Sequence, residues 1–464
     1  MSHTTQAPPH MIMHPSPGMG HLIPLTEFAK RLVTLHDFTV TVVVPTDNKT
    51  STEAMKKFLT ALPKGIDHIF LDPVNFDDLP KNIREETMLS LLMDRSLPSL
   101  REAFEKITSA NRVVALVVDM FGTGTYELSR EFKVPPYMFF PSTSMVLTLI
   151  LHMEELHEKY GQTEFRDIPE PIALPGCVPF KGVDIFNPAM DKTSDAYTWI
   201  VEASKFYSSA DGILLNTYDS LESETLQALK SRGKPPIYPI GPLVQLETKW
   251  AADDSGCVDF LNAQPPNSVL FISFGSVGVL THNQIIELAQ GLELSGTRFI
   301  WVLRVPSDVP NAKDPLEYLP NGFLERTKGV GLVVPSWAPQ VQILGHGSTG
   351  GFVTHCGWNS TLEGVMNGLP LIGWPLYAEQ KLNAVMISER LKIALRVKAN
   401  ENGIVDREEV ARVIKALMKG EEGKRIKDKV NELRTAGTQL LNEDGTSTKA
   451  LSEVANMWKN YKSV

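Results

Sequence analysis

Short apolar runs alternate with stretches of helical periodicity from the beginning of the chain. Met11 to His14 is such a run; Leu22, Leu25, Phe28, Ala29 and Leu32 then recur at helical spacing, and Val40, Val42 and Val44 mark the next run. The order is strand, helix, strand. Val113 to Val118, Tyr137 to Phe140 and Gly212 to Asn216 repeat the strand signal, each followed by a helical stretch. Strands that read as continuous apolar runs have both faces covered, so the first half is expected to be a parallel sheet wrapped by helices. The Pro-rich segment Lys234 to Pro242 leads into the polar stretch Glu247 to Gly256, which reads as a linker. The pattern then restarts, with Val269 to Phe274, Phe299 to Leu303, Leu332 to Val334, Gly351 to Thr354 and Leu369 to Gly373 as five further buried-strand candidates. The chain therefore reads as an α/β protein of two doubly wound parallel-sheet domains, 1-242 and 257-445, joined by a linker at 243-256. A helix over 446-464, apolar at Leu451, Val454, Met457 and Trp458, is expected to pack back toward the first domain.

At 464 residues the chain exceeds what one hydrophobic core organises, which agrees with two domains and makes a cleft between them the expected workplace. A formal charge of -9 argues against a nucleic-acid or anionic-membrane surface, since both need clustered positive charge. Three cysteines, Cys177, Cys257 and Cys356, have no metal-ligand spacing and make no disulfide framework, so a reducing compartment fits. The first Lys or Arg is Lys30 and the opening is polar, so the basic n-region and apolar core of a secretory signal are not seen and a cytoplasmic location is expected. Val134 to Leu151 carries no charge, but Pro135, Pro136 and Pro141 break it. It reads as the strand Tyr137 to Phe140 and a helix over Ser142 to His157, not as a membrane span.

The chemistry concentrates between Trp337 and Gln380, where polar, aromatic and glycine residues fall at strand ends and helix starts. Gly350 to Glu363 reads as a buried strand, a glycine turn and a helix that begins near Asn359 or Ser360. Such a helix start offers backbone N–H groups and a positive dipole end to a phosphate. Gly357 would allow close approach, and His355, Asn359 and Ser360 would add donors. The alternative is that Ser360 and Glu363 form only a capping box. Trp337 follows a strand and could stack on a flat base, or lie in the core. Glu379 and Gln380 fall in the first turn of another helix, an acceptor and an amide together, suited to a polyol.

This 44-residue segment resembles the signature box of the plant UDP-dependent glycosyltransferases of family 1, enzymes of the GT-B fold with two Rossmann-like domains facing across a cleft. The resemblance extends through Pro17-Gly-Met-Gly-His21, Val118-Asp119, Pro239-Ile-Gly-Pro242 and Phe274-Gly-Ser276. It is nearest to the subgroup that acts on simple phenols such as hydroquinone and monolignols, through Pro15 to Pro24 and Tyr377-Ala-Glu-Gln380. It implies an acceptor-binding first domain and a UDP-sugar-binding second one. Trp337 would stack on uracil, Ala338 would present backbone atoms to it, and Gln340 and Glu363 would lie near the ribose hydroxyls. His355, Asn359, Ser360 and Ser276 would hold the phosphates, while Trp358, Glu379 and Gln380 would contact the sugar. Gln380, where some relatives carry His, favours glucose over galactose as donor. The chain departs from the common pattern at Val277-Gly-Val279, where relatives often have more glycine and a hydroxyl residue.

His21 follows Gly18-Met-Gly20 at the turn into the first helix, and Asp119 ends a strand. An imidazole there suits a general base, with the carboxylate to orient it and stabilise its cation. The expected reaction is direct displacement of UDP from the anomeric carbon by a phenol or alcohol oxygen, with inversion and no covalent intermediate. No Asp-x-Asp motif occurs, so no metal is expected; UDP-glucose is a co-substrate and no cofactor is implied. His14, inside a strand, reads as a packed residue. Met120, Phe121 and Phe139 lie near strand ends and could line the acceptor pocket or belong to the core. A UDP-sugar and a small acceptor are the partners the resemblance implies, and a monomer satisfies it. Two other functional classes compete for the same residues. Gly18-Met-Gly20 with Asp47 suggests an NAD-binding oxidoreductase, but the third glycine is absent and Ile23 and Pro24 stand in that region. A non-catalytic nucleotide-sugar sensor would keep the box without needing His21 and Asp119.

Overall fold

The apolar runs of the first half become strands with almost every residue out of water, as a sheet covered on both faces requires. In the computed structural model, which describes residues 7–48, 51–80, 83–246, 255–311 and 313–461, these are β1 (Pro9–His14), β2 (Thr39–Val44), β3 (Ile66–Phe70), β4 (Arg112–Asp119), β5 (Pro136–Phe140), β6 (Gly212–Leu215) and β7 (Ile237–Pro239). They form one seven-stranded sheet in the order β3-β2-β1-β4-β5-β6-β7, with every pairing parallel. The second half supplies β8 (Val269–Ser273), β9 (Arg298–Leu303), β10 (Gly331–Pro335), β11 (Thr349–Thr354), β12 (Leu371–Gly373) and β13 (Ala394–Arg396). These make a six-stranded parallel sheet ordered β10-β9-β8-β11-β12-β13. In each sheet the winding reverses once, between β1 and β4 and between β8 and β11. The crevice outside the carboxyl ends of strands at such a reversal is where open α/β sheets bind ligands.

The chain divides into two compact units, Met1–Val244 with Gln439–Val464, and Gln245–Thr438. The terminal helix Thr446–Lys459 thus belongs to the first unit, and its anchor is aromatic. Trp458 is buried, with ring centroids 6.3 Å from Phe28, 6.3 Å from Phe38 and 5.0 Å from Tyr137. The Arg112 guanidinium donates to the Lys459 carbonyl at 3.2 Å, satisfying one of the oxygens that a helix end leaves unpaired. Most of the stretch read as a linker, 247–254, lies outside the described residues.

Three strands escape the apolar pattern. β3 reads Ile-Asp-His-Ile-Phe and lies at a sheet edge, where one flank needs no apolar cover. β7 is three residues among prolines, tolerable because an edge strand can spare an N–H. β13 is also three residues, too short for periodicity. The single helix expected over Ser142 to His157 is two helices, Ser144–Leu151 and Met153–Tyr160, broken at His152. Its ring Nδ1 lies 2.7 Å from the Thr148 carbonyl oxygen, one helical turn back, a side-chain competitor for the backbone ladder. Among the described residues no helix is long and apolar enough to cross a membrane.

Candidate active site

In the first unit, sheet order joins two residues that lie far apart in the chain. β1 and β4 are neighbours, with His14 opposite Val118, so the loop after β1 meets the end of β4. Gly18, at a φ of 107°, lets the chain turn into the helix Met19–His36, whose first turn carries His21. The His21 ring nitrogen Nδ1 lies 2.9 Å from Asp119 Oδ2. Asp119 is buried and is also held by the Ser16 backbone N–H at 2.6 Å, the Ser16 hydroxyl and the Phe121 N–H at 3.2 Å. Burial works against its charged form, yet donors from His21 and Ser16 outweigh it and hold the carboxyl below the ordinary carboxylate range. With Nδ1–H directed at a fixed anion, the basic lone pair of the ring belongs to Nε2. The imidazole side chain keeps 24% of its surface exposed, enough to meet a substrate.

Phe121 lies beside this pair, 5.9 Å from the His21 ring and stacked on Trp199 at 5.1 Å, and Met120 is half-buried next to it. Phe139 does not line any opening. It is fully buried in β5 and stacks on Phe28 at 6.2 Å, so it is corrected to a core residue between sheet and helix. His14 is fully buried, with Nδ1 at 2.7 Å from the Val43 carbonyl oxygen, and burial lowers its pKa. Neither Ser16 nor Trp199 stood out in the sequence, because nothing local marks a residue whose partner comes from another strand.

In the second unit the residues of the box gather at the carboxyl edge of the sheet. The helix after β11 runs Trp358–Met366 with Gly357 as its N-cap and no side-chain cap. It begins at Trp358, before Asn359 and earlier than expected, so the positive end of its dipole falls at the carboxyl edge of the sheet. Ser360 is therefore inside the helix, and the capping-box alternative fails. Glu363 instead accepts from Gln340 Nε2 at 2.6 Å, and the same nitrogen reaches Ser360 Oγ at 3.1 Å. Trp337 is 49% exposed after the end of β10, which excludes a core role, while the Trp358 indole is buried. Ala338 is buried and its carbonyl accepts from the Gln340 N–H at 2.8 Å. Ser276 lies exposed on the loop after β8.

His355 is buried between two glycines. A Cβ on Gly275 would stand 2.6 Å from its ring, and one on Gly357 would stand 2.4 Å from Nε2. Only glycine fits at either place, and Gly275 also has a φ of +78°. Burial lowers the His355 pKa to about 4, so the ring is neutral near pH 7 and can act as a hydrogen-bond donor without carrying charge. Gln380 is buried, and its side-chain oxygen accepts from the N–H groups of Leu376 and Tyr377 at 2.9 and 3.0 Å. Glu379, half-buried, accepts from Asn383 Nδ2 at 3.3 Å. Ser336, Cys356 and Ala378 follow β10, β11 and β12 and take φ values of 65°, 66° and 52°. Left-handed backbone at non-glycine residues is a strained state that clusters at binding sites.

Burial raises the Glu363 pKa to about 7, against the hydrogen bond from Gln340. The folded value lies above the unfolded one, so its contribution to stability is complete below the ordinary carboxylate range and is lost as pH rises through about 7. Relative to Glu363→Gln, the ligand-free protein is expected to lose on the order of 3 kcal/mol between about pH 4 and pH 8 in urea unfolding. Parallel curves for the two proteins would refute the shift.

Residues 245–434 match the family model described as UDP-glucoronosyl and UDP-glucosyl transferase. Over 99% of both chains, the sequence is 52% identical to hydroquinone glucosyltransferase from Rauvolfia serpentina. This chain belongs to the UDP-glycosyltransferase family. It is also 51% identical to UDP-glycosyltransferase 72B1 from Arabidopsis thaliana, across 98% of this chain and 97% of that one. Among solved structures, the complex of a Polygonum tinctorium UDP-glucosyltransferase capable of glucosylating indoxyl superposes with a TM-score of 0.93 at 48% identity, covering 99% of this chain and 100% of the other. Phytolacca americana UGT2 complexed with UDP-2fluoro-glucose and pterostilbene gives 0.90 at 46% identity, covering 97% and 100%. Both sheets therefore belong to the GT-B architecture of plant members of the family. The oxidoreductase reading falls with this membership; Pro24, near where its third glycine would stand, is buried inside the first helix.

Proposed function

We propose that the enzyme transfers glucose from UDP-glucose to the hydroxyl of a small phenolic acceptor, inverting the anomeric centre. The observation that carries this reading is the His21–Asp119 pair, with Nδ1 at 2.9 Å from a carboxylate that three further donors hold in place. As the acceptor oxygen attacks the anomeric carbon, its proton passes to His21 Nε2. The bond from that carbon to the β-phosphate oxygen breaks, and UDP leaves with the electron pair. Asp119 stabilises the imidazolium formed. Water or another base then takes the proton once the products have gone.

In the second unit, Trp337 stacks on the uracil with Ala338 at its edge, and the Gln340–Glu363 pair receives the ribose hydroxyls. His355, Asn359, Ser360, Ser276 and the helix start after Gly357 take the phosphates, which meets the need for leaving-group stabilisation without a metal ion. Trp358 contributes through its backbone, since its ring is buried. Glu379 and the Gln380 amide nitrogen bind sugar hydroxyls; the Gln380 oxygen is already committed to the loop before it. An aromatic acceptor is supported by the Phe121–Trp199 stack beside His21, by hydroquinone in the name of a relative at 52% identity, and by pterostilbene in a complex of a structural neighbour. Met120 and Phe121 line the acceptor side.

The test is a panel of UDP-sugars against small phenols, with the product anomer read from its proton coupling by NMR. UDP-glucose with hydroquinone-like phenols is expected to react fastest and to give the β-glucoside from the α-linked donor. An α-glucoside, or no transfer to any phenol, sinks the proposal.

A further inference from the structure

All six strands of the second sheet run parallel, so their carboxyl ends share one edge. Trp337 lies beyond the end of β10, Ser276 beyond β8 and His355 just past β11. Between β10 and β8 runs β9, whose last residue is Leu303, and the next residue is Arg304. Leu303 pairs with Pro335, and its carbonyl accepts from the Ser336 N–H at 2.8 Å, so the turn that carries Trp337 is tied to the residue before Arg304. A nucleotide with its base on Trp337 and its phosphates near Ser276 and His355 has to pass over the end of β9.

Arg304 is half-buried and makes no hydrogen bond or ion pair with the described residues. Burial lowers its pKa and the neighbouring Tyr377 acts the other way, but a guanidinium remains charged throughout the accessible pH range. Removing a cation partly from water without an anion to meet it is unfavourable, so such a group is normally paired. The phosphate donors named above are all uncharged, His355 included, because its ring is neutral. A diphosphate that gains negative charge as it departs lacks a cation among them.

We propose that Arg304 is the counter-charge of the donor diphosphate, binding its oxygens in the UDP-glucose complex and taking up the charge that develops as UDP leaves. This rests on the UDP-sugar reading of the second unit. Arg304→Gln keeps the reach and removes the charge; Arg304→Lys restores a cation without the fork. The experiment measures inhibition constants of UDP and of uridine against UDP-glucose, with kcat at saturating donor and thermal unfolding of each protein. In R304Q the UDP constant is expected to rise about ten- to a hundredfold, as for loss of a charge-assisted hydrogen bond, while the uridine constant is unchanged. R304K is expected to recover part of the UDP affinity and of kcat. An unchanged UDP constant, or parallel weakening of UDP and uridine, overturns the proposal. Absence of UDP binding in the unsubstituted enzyme overturns the UDP-sugar reading itself, which keeps the two failures apart.

Discussion

His21→Ala is expected to lower kcat/KM for transfer to a phenol by at least roughly a hundredfold, the low end of what a positioned general base contributes. The loss should appear in kcat, because the proton is taken only as the new bond forms and the ground-state complex gains little from it. The inhibition constant of UDP should not change, since every residue assigned to the nucleotide lies in Gln245–Thr438, outside the unit that holds His21. Thermal stability should change little as well, because the ring is partly exposed at the start of a helix. Activity comparable to that of the unsubstituted enzyme would remove the imidazole from the mechanism. A fall in melting temperature alone would not explain a kcat effect measured well below it.

Asp119→Asn is expected to have an effect of the same order, about a hundred- to ten-thousandfold in kcat, though the residue need not touch the acceptor. The amide has the shape of the carboxylate but brings N–H where Asp119 only accepts. Four donors converge on this carboxylate: His21 Nδ1, the Ser16 N–H, the Ser16 hydroxyl and the Phe121 N–H. An asparagine can accept from some of them only by turning its amino group toward another. If that group faces His21, the ring must present its Nδ1 lone pair, and the proton moves to Nε2, the position that has to be basic. The imidazolium also loses its anion. The pH dependence of stability separates this from misfolding. The Asp119 pKa is held below the unfolded value, so its stabilising contribution is present above the ordinary carboxylate range and disappears as pH falls through the folded value. Acid unfolding of the unsubstituted protein should contain this component, and that of the Asn variant should lack it. Full activity in D119N would show that orientation by a charge is not required.

Much of this molecule is legible in local pattern. β1, β2, β4, β5, β6 and five strands of the second sheet appear as apolar runs, because a strand buried on both faces keeps charge to its ends. The segment Trp337 to Gln380 likewise reads, through the residue types it places at strand ends, as the nucleotide-sugar site proposed above. What local pattern does not carry is which strand lies beside which. Ser16 reaches Asp119 across 103 positions of sequence, and only the adjacency of β1 and β4 brings them together. The same holds for Gly275 against His355, for the Gln340–Glu363 bond that stands where a helix cap was the alternative, and for Phe139, whose place near a strand end gave no sign of its stack on Phe28. The sequence by itself determined the two parallel sheets, through periodicity along the chain, and the family, through motifs that resemble it, together with the residue types available for chemistry. Tertiary structure alone decided the partners, the burial that makes His355 neutral, and the half-buried place of Arg304 without a hydrogen bond or ion pair among the described residues, because solvation and hydrogen bonding depend on neighbours supplied by distant strands.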